Sequence, residues 1–411
     1  MEQLEHWGIF LSNQVDKNAF IETLLSGTSS SDLSTFNTKK GILFSDIAID
    51  NFIKKEYQYD AVETALETTR KLSTYSSGER KKVFLNYCIN QKPDFIIVDN
   101  PLDHLDQNSR NTIRITLEEL AQKTQLILLV NRQSDFPSFL LKKAHIKDNS
   151  FVLDEINPAL SEQNLFKANQ IPAPLNPVLL AEEVLIKMKN LCVSYNEKPI
   201  LKDINWTIKK GDFWHLLGPN GSGKSTLLSL ITGDNTKGYG QDLCLFGIKK
   251  GSGENIWDIK KNIGYFSTAM TELFHKNDSL ENMILSGFFD SIGLYTQPTD
   301  LQKNIVTQWL DLIHLSSLKN KPFKTLSLGQ QRLALIVRAV IKHPPLLILD
   351  EAVEGLDDEN VAMVAQLITL LSQQPNMAIL YVSHRIEPNI IPNAIYELTP
   401  NENGSRGKIR I

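Results

Sequence analysis

The chain has 411 residues, of which 42% are hydrophobic and 22% are charged, and its formal net charge is −4. This length allows two or three domains with a sizeable core. The slightly acidic charge balance excludes the basic surface that nucleic-acid-binding proteins present. We therefore expect a soluble globular protein that binds no nucleic acid.

Signals for export or membrane insertion are not expected in this sequence. The first five residues are acidic and contain no apolar stretch, which predicts that there is no signal peptide. No apolar run approaches the ~18 residues that a membrane span needs. The cysteines, Cys88, Cys192 and Cys244, form no C-x-x-C pair and are typical of reduced core thiols. We expect a cytoplasmic protein that reaches the inner membrane only through a partner.

The first 156 residues contain short apolar runs, such as residues 126–130, that suit the strands of a sheet. Residues 157–183 hold four prolines and few charges, and we interpret them as a semi-extended linker. The sequence therefore predicts a first domain over residues 1–156, the linker over 157–183 and a second domain over 184–411. These two domains are called the first and second copy below, for the reason given by their internal repeat.

The second copy contains a glycine-rich loop between a predicted strand, residues 213–217, and a predicted helix that opens with residues 227–231. The loop fits the pattern G-x-x-x-x-G-K-[ST]. Its glycines let backbone N–H groups wrap a phosphate, its lysine reaches the β- and γ-phosphates, and its hydroxyl, from Ser225, holds Mg²⁺. The predicted nucleotide-binding residues of the loop are Gly218, Pro219, Asn220, Gly221, Ser222, Gly223, Lys224, Ser225 and Thr226.

Two carboxylates follow a short apolar run, residues 346–349. Such a run predicts a buried parallel strand with its acids at the carboxyl end, where α/β proteins place their sites. Asp350 is predicted to hold Mg²⁺, and Glu351 to orient or deprotonate the attacking water. Ser383 and His384 come directly after another predicted strand.

An internal repeat relates the two copies. An offset of 207 residues aligns Trp7 with Trp214 and Lys17 with Lys224. Further along the chain the offset is 251. The second copy therefore carries 44 more residues than the first between its loop lysine and the next set of aligned residues. We therefore predict two equivalent α/β domains in tandem, the first with a smaller helical insert. The pairs aligned by the larger offset are Ser76 with Ser327, Gly78 with Gly329, Asp99 with Asp350 and Asp106 with Asp357.

The first copy has lost the residues that carry chemistry. Its loop, residues 11–18, keeps none of the three glycines, and Asp16 brings a negative charge toward the phosphate position. Asn100 replaces the second carboxylate, and Asn131 and Arg132 are predicted to replace the serine–histidine pair. Drift in a structural domain is the alternative explanation. It does not account for the survival of the segments at residues 75–79 and 103–106.

Together these motifs resemble the ATP-binding cassette (ABC) ATPases, with a signature motif at residues 326–330 and a D-loop at 354–357. The resemblance implies two P-loop NTPase domains, each with a parallel-sheet core and a helical subdomain, the first truncated and degenerate. It also implies that Tyr195 stacks on adenine and that His384 contacts the γ-phosphate. The serine and glycine of each signature would contact the nucleotide bound by the opposite domain.

Residues 251–260, 284–295 and 330–339 resemble the tandem ABC ATPases of the ModF and photorepair protein PhrA type more closely. Members of this group usually keep a working first site, and this chain departs from them there. Thr268 stands about where transporter ATPases usually carry a glutamine that contacts Mg²⁺ and communicates with the membrane subunit.

The resemblance implies ATP hydrolysis with Mg²⁺ at one composite site. The second copy would supply most of it, and Ser76 and Gly78 of the first copy would close it through internal pairing. Pairing of two second copies from different chains is the alternative. The chain would serve an unidentified protein partner, a membrane permease if the system transports a molybdate-like anion. Two other roles stay open: a non-transport ATPase that acts on a cytosolic partner in repair or translation, and a nucleotide sensor with little turnover.

Overall fold

The computed structural model describes residues 4–13, 15–29, 32–59, 70–140, 142–147, 150–153, 166, 170–176, 180–275 and 277–410. The chain divides into two compact units. Unit 1 comprises Met1–Ser161 together with the short segment Gly355–Glu359, and unit 2 comprises Glu162–Glu354 and Asn360–Ile411. Among the described residues, no helix combines the length and the apolar composition needed to cross a membrane.

Unit 1 is built on one six-stranded sheet. Its strands are β1 (Trp7–Phe10), β2 (Gly41–Phe44), β3 (Phe95–Asp99), β4 (Gln125–Val130), β5 (Lys142–Lys147) and β6 (Ser150–Leu153). Its helices are α1 (Lys17–Leu25), α2 (Asp46–Tyr59), α3 (Ser77–Asn90) and α4 (Gln107–Ala121). The strand order is β2-β3-β4-β1-β5-β6, and all neighbours are parallel except β5 and β6.

Strand β3 lies inside the sheet, between β2 and β4, and is buried along its whole length. It and the equivalent strand of unit 2, Leu346–Asp350, are called the central strands below. Ile96 and Val98 belong to one apolar core, and Phe95 and Ile97 belong to another. Because successive side chains of a strand point to opposite faces, the sheet carries a core on each face. This explains why the sequence reads here as a continuous apolar run rather than as an alternating one.

Unit 2 contains two sheets. Its strands are β7 (Val184–Tyr195), β8 (Lys198–Lys209), β9 (Phe213–Leu217), β10 (Asp242–Leu245), β11 (Ile248–Lys249), β12 (Ile263–Ser267), β13 (Leu346–Asp350), β14 (Ala378–Ser383), β15 (Ala394–Thr399) and β16 (Arg406–Arg410). The smaller sheet is antiparallel, in the order β11-β10-β7-β8. The larger sheet has the order β12-β13-β14-β9-β15-β16, with only β16 antiparallel.

The two six-stranded sheets have the same topology, which confirms the internal repeat. Strands β1 to β6 correspond in order of position to β9, β12, β13, β14, β15 and β16. Trp7 pairs with Ile127 on β4, and Trp214 pairs with Leu380 at the equivalent place on β14. Asp99 ends β3 and Asp350 ends β13. The sequence offsets therefore align structurally equivalent positions in this part of the fold.

Unit 2 carries more structure between β9 and β13 than unit 1 carries between the equivalent strands β1 and β3. Its helices are α5 (Lys224–Ile231), α6 (Ile256–Lys260), α7 (Leu280–Leu285), α8 (Asp300–Leu312), α9 (Leu328–Val340) and α10 (Asp358–Ser372). Five of these helices lie between β9 and β13, whereas α1 to α3 lie between the equivalent strands of unit 1. The described residues of unit 1 form no counterpart of the four-stranded antiparallel sheet. Among the described residues, unit 1 thus has the smaller helical insert that the sequence predicts.

Part of the predicted linker packs against unit 2. Phe166 is fully buried, and its ring lies 6.1 Å from the ring of His314. The backbone of Pro172 is hydrogen-bonded to His343. Described residues 170–176 form neither helix nor strand, in line with a proline-containing connection.

Candidate functional site

The glycine-rich loop of unit 2 joins the end of β9 to the start of α5 at Lys224. Gly223 is the residue before the helix, and its φ of 93° lies in the region that side-chain-bearing residues rarely adopt. A Cβ at this position would also lie 2.8 Å from Cδ2 of Leu201. Only glycine meets both conditions, and the turn that it makes ends at the N-terminus of α5, whose N–H groups attract anions.

Lys224 folds back onto this loop. Its Nζ donates hydrogen bonds to the carbonyl oxygens of Gly218 and Pro219, at 2.7 and 3.0 Å. A Cβ on Gly218 would lie 2.6 Å from Oγ of Ser222, so a side chain there would fill the cradle. A glycine-lined cradle with a lysine fastened to its rim fits a triphosphate group.

Asp350 is the last residue of β13, and Glu351 comes directly after it. Asp350 pairs with Ser267 on β12 and with Val382 on β14, at the carboxyl end of the parallel strands. Burial is the main cause that raises the pKa of Asp350 to about 6, and the charge of Glu351 adds to it. A buried aspartate next to a second carboxylate is an oxygen ligand that favours a divalent cation. With the hydroxyl of Ser225, Asp350 fits the predicted Mg²⁺ position.

Glu351 is held in an unusual backbone conformation. Its φ is 55°, in the left-handed region, and its N–H donates to the carbonyl oxygen of Val382. Asn100, the equivalent residue of unit 1, has a φ of 41° and donates to Leu129 in the same way. The sharp turn after the central strand is thus a property of both copies.

His384 lies against two carboxylates. Its Nδ1 is 3.5 Å from Oε1 of Glu351, and its Nε2 is 3.8 Å from Oε2 of Glu354. The interaction with His384 is the largest cause that lowers the pKa of Glu351, against the opposing effects of burial and of Glu354. Glu351 is therefore ionised at neutral pH and able to accept a proton. The predicted contact of His384 with a γ-phosphate stays a prediction.

A cavity of about 610 Å³ adjoins the predicted metal position. Ser225 and Asp350 line it together with Trp257, Tyr265 and Thr268. The hydroxyl of Tyr265 donates to Oδ2 of Asp350 at 3.4 Å. Sequence reasoning missed Tyr265, which belongs to no motif and is brought to Asp350 only by the pairing of β12 with β13.

Tyr195 ends β7 and leaves 42% of its surface exposed. Nδ2 of Asn235 donates a hydrogen bond to its hydroxyl at 2.8 Å. Nζ of Lys237 lies 6.0 Å from its ring centre. The ring is thus held from its hydroxyl end while much of it remains accessible, which fits the predicted stacking on a base.

The two signature motifs begin helices in the same way. Ser76 caps α3 and Ser327 caps α9, each through a capping box closed by the residue three positions later, Glu79 and Gln330. Ser76 and Gly78 belong to unit 1, whereas the loop and the two carboxylates belong to unit 2. Participation of Ser76 and Gly78 in the site therefore stays a prediction.

The equivalent position in unit 1 is occupied by an ion pair. Nζ of Lys17 lies 3.0 and 2.9 Å from the two carboxylate oxygens of Asp99. The side chain of Asp16 caps α1 by accepting a hydrogen bond from the N–H of Ala19, so its carboxylate lies at the helix N-terminus. The expectation that Asp16 brings a negative charge toward a phosphate position stays a prediction. Lys17 and Asp99, which would hold a nucleotide and its metal here, form an ion pair with each other instead.

The loop of the first copy contacts protein within unit 1. The N–H of Asn13 donates to Oδ2 of Asp357, and the N–H of Asp357 donates to Oδ1 of Asn13, both at 2.7 Å. Nδ2 of Asn13 donates to Gly355, and Nε of Arg132 donates to Leu356. All these bonds lie within unit 1, which includes Gly355–Glu359.

The strand register corrects one alignment made from sequence. In both sheets the aspartate that ends the central strand pairs with the next strand, at Leu129 in unit 1 and at Val382 in unit 2. The predicted replacement of Ser383 and His384 by Asn131 and Arg132 is therefore wrong by one residue. The cause is two additional residues before β14, so the offset of 251 does not hold there. The structural equivalents are Val130 for Ser383 and Asn131 for His384.

Similarity to known proteins decides the family. A protein-family model described as ABC transporter matches residues 201–354. The ABC transporter ATP-binding protein ModF of Escherichia coli (strain K12) is 41% identical over 333 residues, which cover 77% of this chain and 68% of ModF. The chain belongs to the ABC transporter ATP-binding protein family. It is an ABC ATPase of the tandem, ModF-like type.

More distant ABC proteins share this organisation. An uncharacterised ABC transporter ATP-binding protein of Schizosaccharomyces pombe is 29% identical over 321 residues, which cover 76% of this chain and 65% of that protein. The archaeal ABCE1 in a solved complex described as ribosome-bound archaeal Pelota and ABCE1 covers 98% of this chain and 74% of its own, with a TM-score of 0.66 and 16% identity. That likeness shows the tandem ABC fold.

Proposed function

We propose that this ABC ATPase hydrolyses ATP with Mg²⁺ at a single site, built mainly by unit 2. The observation that carries the proposal is the contrast between its two loop lysines. Lys224 is fastened to loop carbonyls beside Asp350 and Glu351, whereas Lys17 is neutralised by Asp99. A second nucleotide would have to break that ion pair and would find no carboxylate base at Asn100.

The chemistry follows from the groups that converge in unit 2. Ser225 and Asp350 are the residues that would hold Mg²⁺, which neutralises charge on phosphate oxygens when bound. Glu351 accepts a proton as the oxygen of water bonds to the γ-phosphorus, and the bond to the ADP oxygen breaks with its electron pair. Its lowered pKa keeps Glu351 ready for this role. His384 holds the carboxylate in place from the side.

We further propose that Ser76 and Gly78 complete this site. Their support is chemical: the first copy has lost its glycines, its base and its histidine, yet it keeps a signature with an intact helix cap. A helix N-terminus with free N–H groups stabilises the negative charge of a γ-phosphate. The first copy keeps a lysine and an aspartate, Lys17 and Asp99, but these form an ion pair with each other. Loss of the glycines, the base and the histidine, with retention of the signature that would serve the other copy, is what a composite site requires.

For the cellular role we propose that the chain is an ATP-binding component that acts on a protein partner. The name of its relative ModF, an ABC transporter ATP-binding protein, supports this proposal. A molybdate-like anion system is the form of transport that this relationship favours. Thr268, where transporter ATPases usually carry glutamine, favours a second candidate, a non-transport ATPase with the tandem fold of ABCE1. Sedimentation of tagged chain with membranes or with ribosomes, in ATP and in ADP, separates the two roles.

The single-site proposal is tested by counting nucleotides. We expect one ATP to be retained per chain by the Glu351→Gln variant with Mg²⁺, measured by titration calorimetry at saturating concentration. The Lys224→Ala variant is the matched control and should retain none. Two bound nucleotides per chain, or one that persists without Lys224, would show that the first copy binds ATP and would refute the proposal.

A further inference from the structure

A buried histidine lies on β9, three residues before Gly218, the first residue of the glycine-rich loop. His215 is only 2% exposed, and its Nε2 lies 2.8 Å from Oγ of Ser383 at the end of β14. Neither residue takes part in the chemistry described above. Ser383 is nevertheless the immediate neighbour of His384, the side chain that faces Glu351.

The direction of this hydrogen bond can be assigned. The hydroxyl of Ser383 donates its single hydrogen to the carbonyl oxygen of Arg385, two residues on. Oγ of Ser383 must therefore accept from His215, whose Nε2 carries the proton. Burial lowers the pKa of His215 to about 4, so the ring is neutral and holds one proton at physiological pH.

These bonds brace the backbone on both sides of His384. His215 fixes the hydroxyl of Ser383, and that hydroxyl fixes the carbonyl of Arg385, so the residue between them is held from both ends. The N–H of Arg385 also donates to Oγ of Ser383, at 3.4 Å. A turn tied in this way sets where the imidazole of His384 lies relative to Glu351.

The first copy provides an internal comparison. Gly8 takes the place of His215, because Gly8 pairs with Leu128 where His215 pairs with Tyr381. Val130 takes the place of Ser383, so both partners of the hydrogen bond are gone. The third loss is the histidine itself, replaced by Asn131. Thus the pair is present in the copy that has the histidine and absent from the copy that lacks it.

Simple packing is the rival explanation for His215. Its ring lies 5.2 Å from that of Tyr381, and in the first copy the ring of Phe136 closes the space beside Gly8, 2.7 Å from where a Cβ would lie. An apolar side chain would fill such a space without any buried polar group. A neutral imidazole is retained instead, and its N–H reaches the one hydroxyl that braces His384.

We propose that His215 is a positioning residue for ATP hydrolysis: through Ser383 it holds the turn at residues 383–385 and so sets His384 against Glu351. The inference rests on the proposed roles of Glu351 and His384. It makes ATP turnover depend on His215, a residue that contacts neither nucleotide nor metal. It therefore predicts that replacing His215 changes kcat rather than the affinity for ATP.

The test compares two replacements of His215. His215→Leu removes the N–H donor, and His215→Gln places an amide donor near the same position. We expect His215→Leu to lower kcat by roughly 10- to 10²-fold, the scale of a small misplacement of catalytic groups, with the Kd for ATP changed less than about 2-fold. His215→Gln should recover most of the loss. Thermal unfolding of each variant reports packing separately.

Ser383→Ala removes the same hydrogen bond from the other side and serves if His215→Leu does not fold. It should lower kcat to a similar extent, and the double variant should lose no more than either single one. Wild-type kcat in both single variants, or equal losses in His215→Leu and His215→Gln, would overturn the positioning role. Native turnover in Glu351→Gln would instead refute the proposed base, which makes the two failures distinguishable.

Discussion

Lys17 and Asp99 form an ion pair in unit 1, with Nζ 3.0 and 2.9 Å from the two carboxylate oxygens. Their counterparts in unit 2 are Lys224 and Asp350. Lys224 donates to two loop carbonyls, and its charge opposes the rise in the pKa of Asp350 that burial causes. The same two residue types thus serve two purposes in one chain. Under the proposed function, the pair in the first copy stabilises the fold, and the two residues of the second copy bind a phosphate and a cation.

The general base is tested at Glu351. Glu351→Gln preserves shape and removes the proton acceptor, so we expect ATP binding to persist and turnover to fall by roughly 10²-fold or more. Lys224→Ala should lose binding as well as turnover. Phosphate release gives the rate, and calorimetry gives the affinity. A Glu351→Gln variant that turns over at the native rate would mean that another group accepts the proton.

The composite site is tested at Ser76 and Ser327 rather than at the glycines. A side chain on Gly329 would lie 1.7 Å from Oδ1 of Asn360, so Gly329 variants would report a steric clash. Aspartate caps helices as well as serine does and adds a negative charge. Glu79→Gln gives α3 the same serine–glutamine cap as α9, which makes the two serines a matched pair.

In that matched pair, Ser76→Asp with Glu79→Gln should lower ATP turnover by about 10²-fold, because a carboxylate would oppose the γ-phosphate of the working site. Ser327→Asp should stay close to the native rate, since in the proposed arrangement it would face the loop of the first copy, which holds no nucleotide. Glu79→Gln alone is the control. The reverse pattern would indicate that second copies of two chains pair with each other.

The ion pair of unit 1 should matter for stability and not for turnover. Lys17→Met leaves Asp99 buried without its partner and should lower the free energy of unfolding by about 1–3 kcal/mol near neutral pH. ATPase activity at a permissive temperature should remain within about 2-fold of the native rate, since Lys17 serves no nucleotide in the proposed mechanism. The double variant Lys17→Met with Asp99→Asn should regain much of the stability.

The stability loss of Lys17→Met should also depend on pH. Burial already raises the pKa of Asp99 above its usual range, and Lys17 is the main influence that lowers it. Without Lys17 the folded-state pKa rises further, so Asp99 folds more easily protonated than ionised. The penalty should therefore be small near pH 4 and grow as pH rises through the folded-state pKa. A penalty that is the same at both ends, measured by denaturant unfolding, would contradict this account.

Adenine stacking is tested at Tyr195. Tyr195→Ala should weaken ATP affinity by about 1–2 kcal/mol, while Tyr195→Phe, which keeps the ring and loses the bond with Asn235, should bind nearly as the native chain does. Inorganic tripolyphosphate is the control ligand, because it has no base. Equal weakening of ATP and tripolyphosphate binding would assign Tyr195 to the architecture of the loop instead.

Much of the fold follows from the sequence because the offsets of 207 and 251 residues already align Trp7, Lys17 and Asp99 with their counterparts. The glycine-rich loop and the paired carboxylates are contiguous motifs, so their local structure is encoded in adjacent residues. The one-residue error at Asn131 arose because strand register depends on pairing with β3, which no local pattern reveals.

The contacts of three residues that lie next to the site residues, His215, Ser383 and Tyr265, could not be predicted from contiguous motifs. His215 and Ser383 are 168 positions apart and meet only because β9 and β14 are neighbours in the sheet. Tyr265 reaches Asp350 through the same kind of pairing. The capping role of Asp16 was not predicted, although an aspartate directly before a helix is a typical N-cap residue.

The left-handed backbone after the central strands has a thermodynamic consequence. Glutamate at φ 55° carries a conformational strain of order 1 kcal/mol, whereas asparagine adopts this region more readily. The first copy, with Asn100 at φ 41°, has relieved that strain together with losing its base. Under the proposed mechanism, unit 2 keeps an energetically disfavoured residue because its carboxylate takes a proton from water and an asparagine side chain cannot. Replacing Glu351 with asparagine should therefore produce a chain that is inactive and yet harder to unfold than the native one.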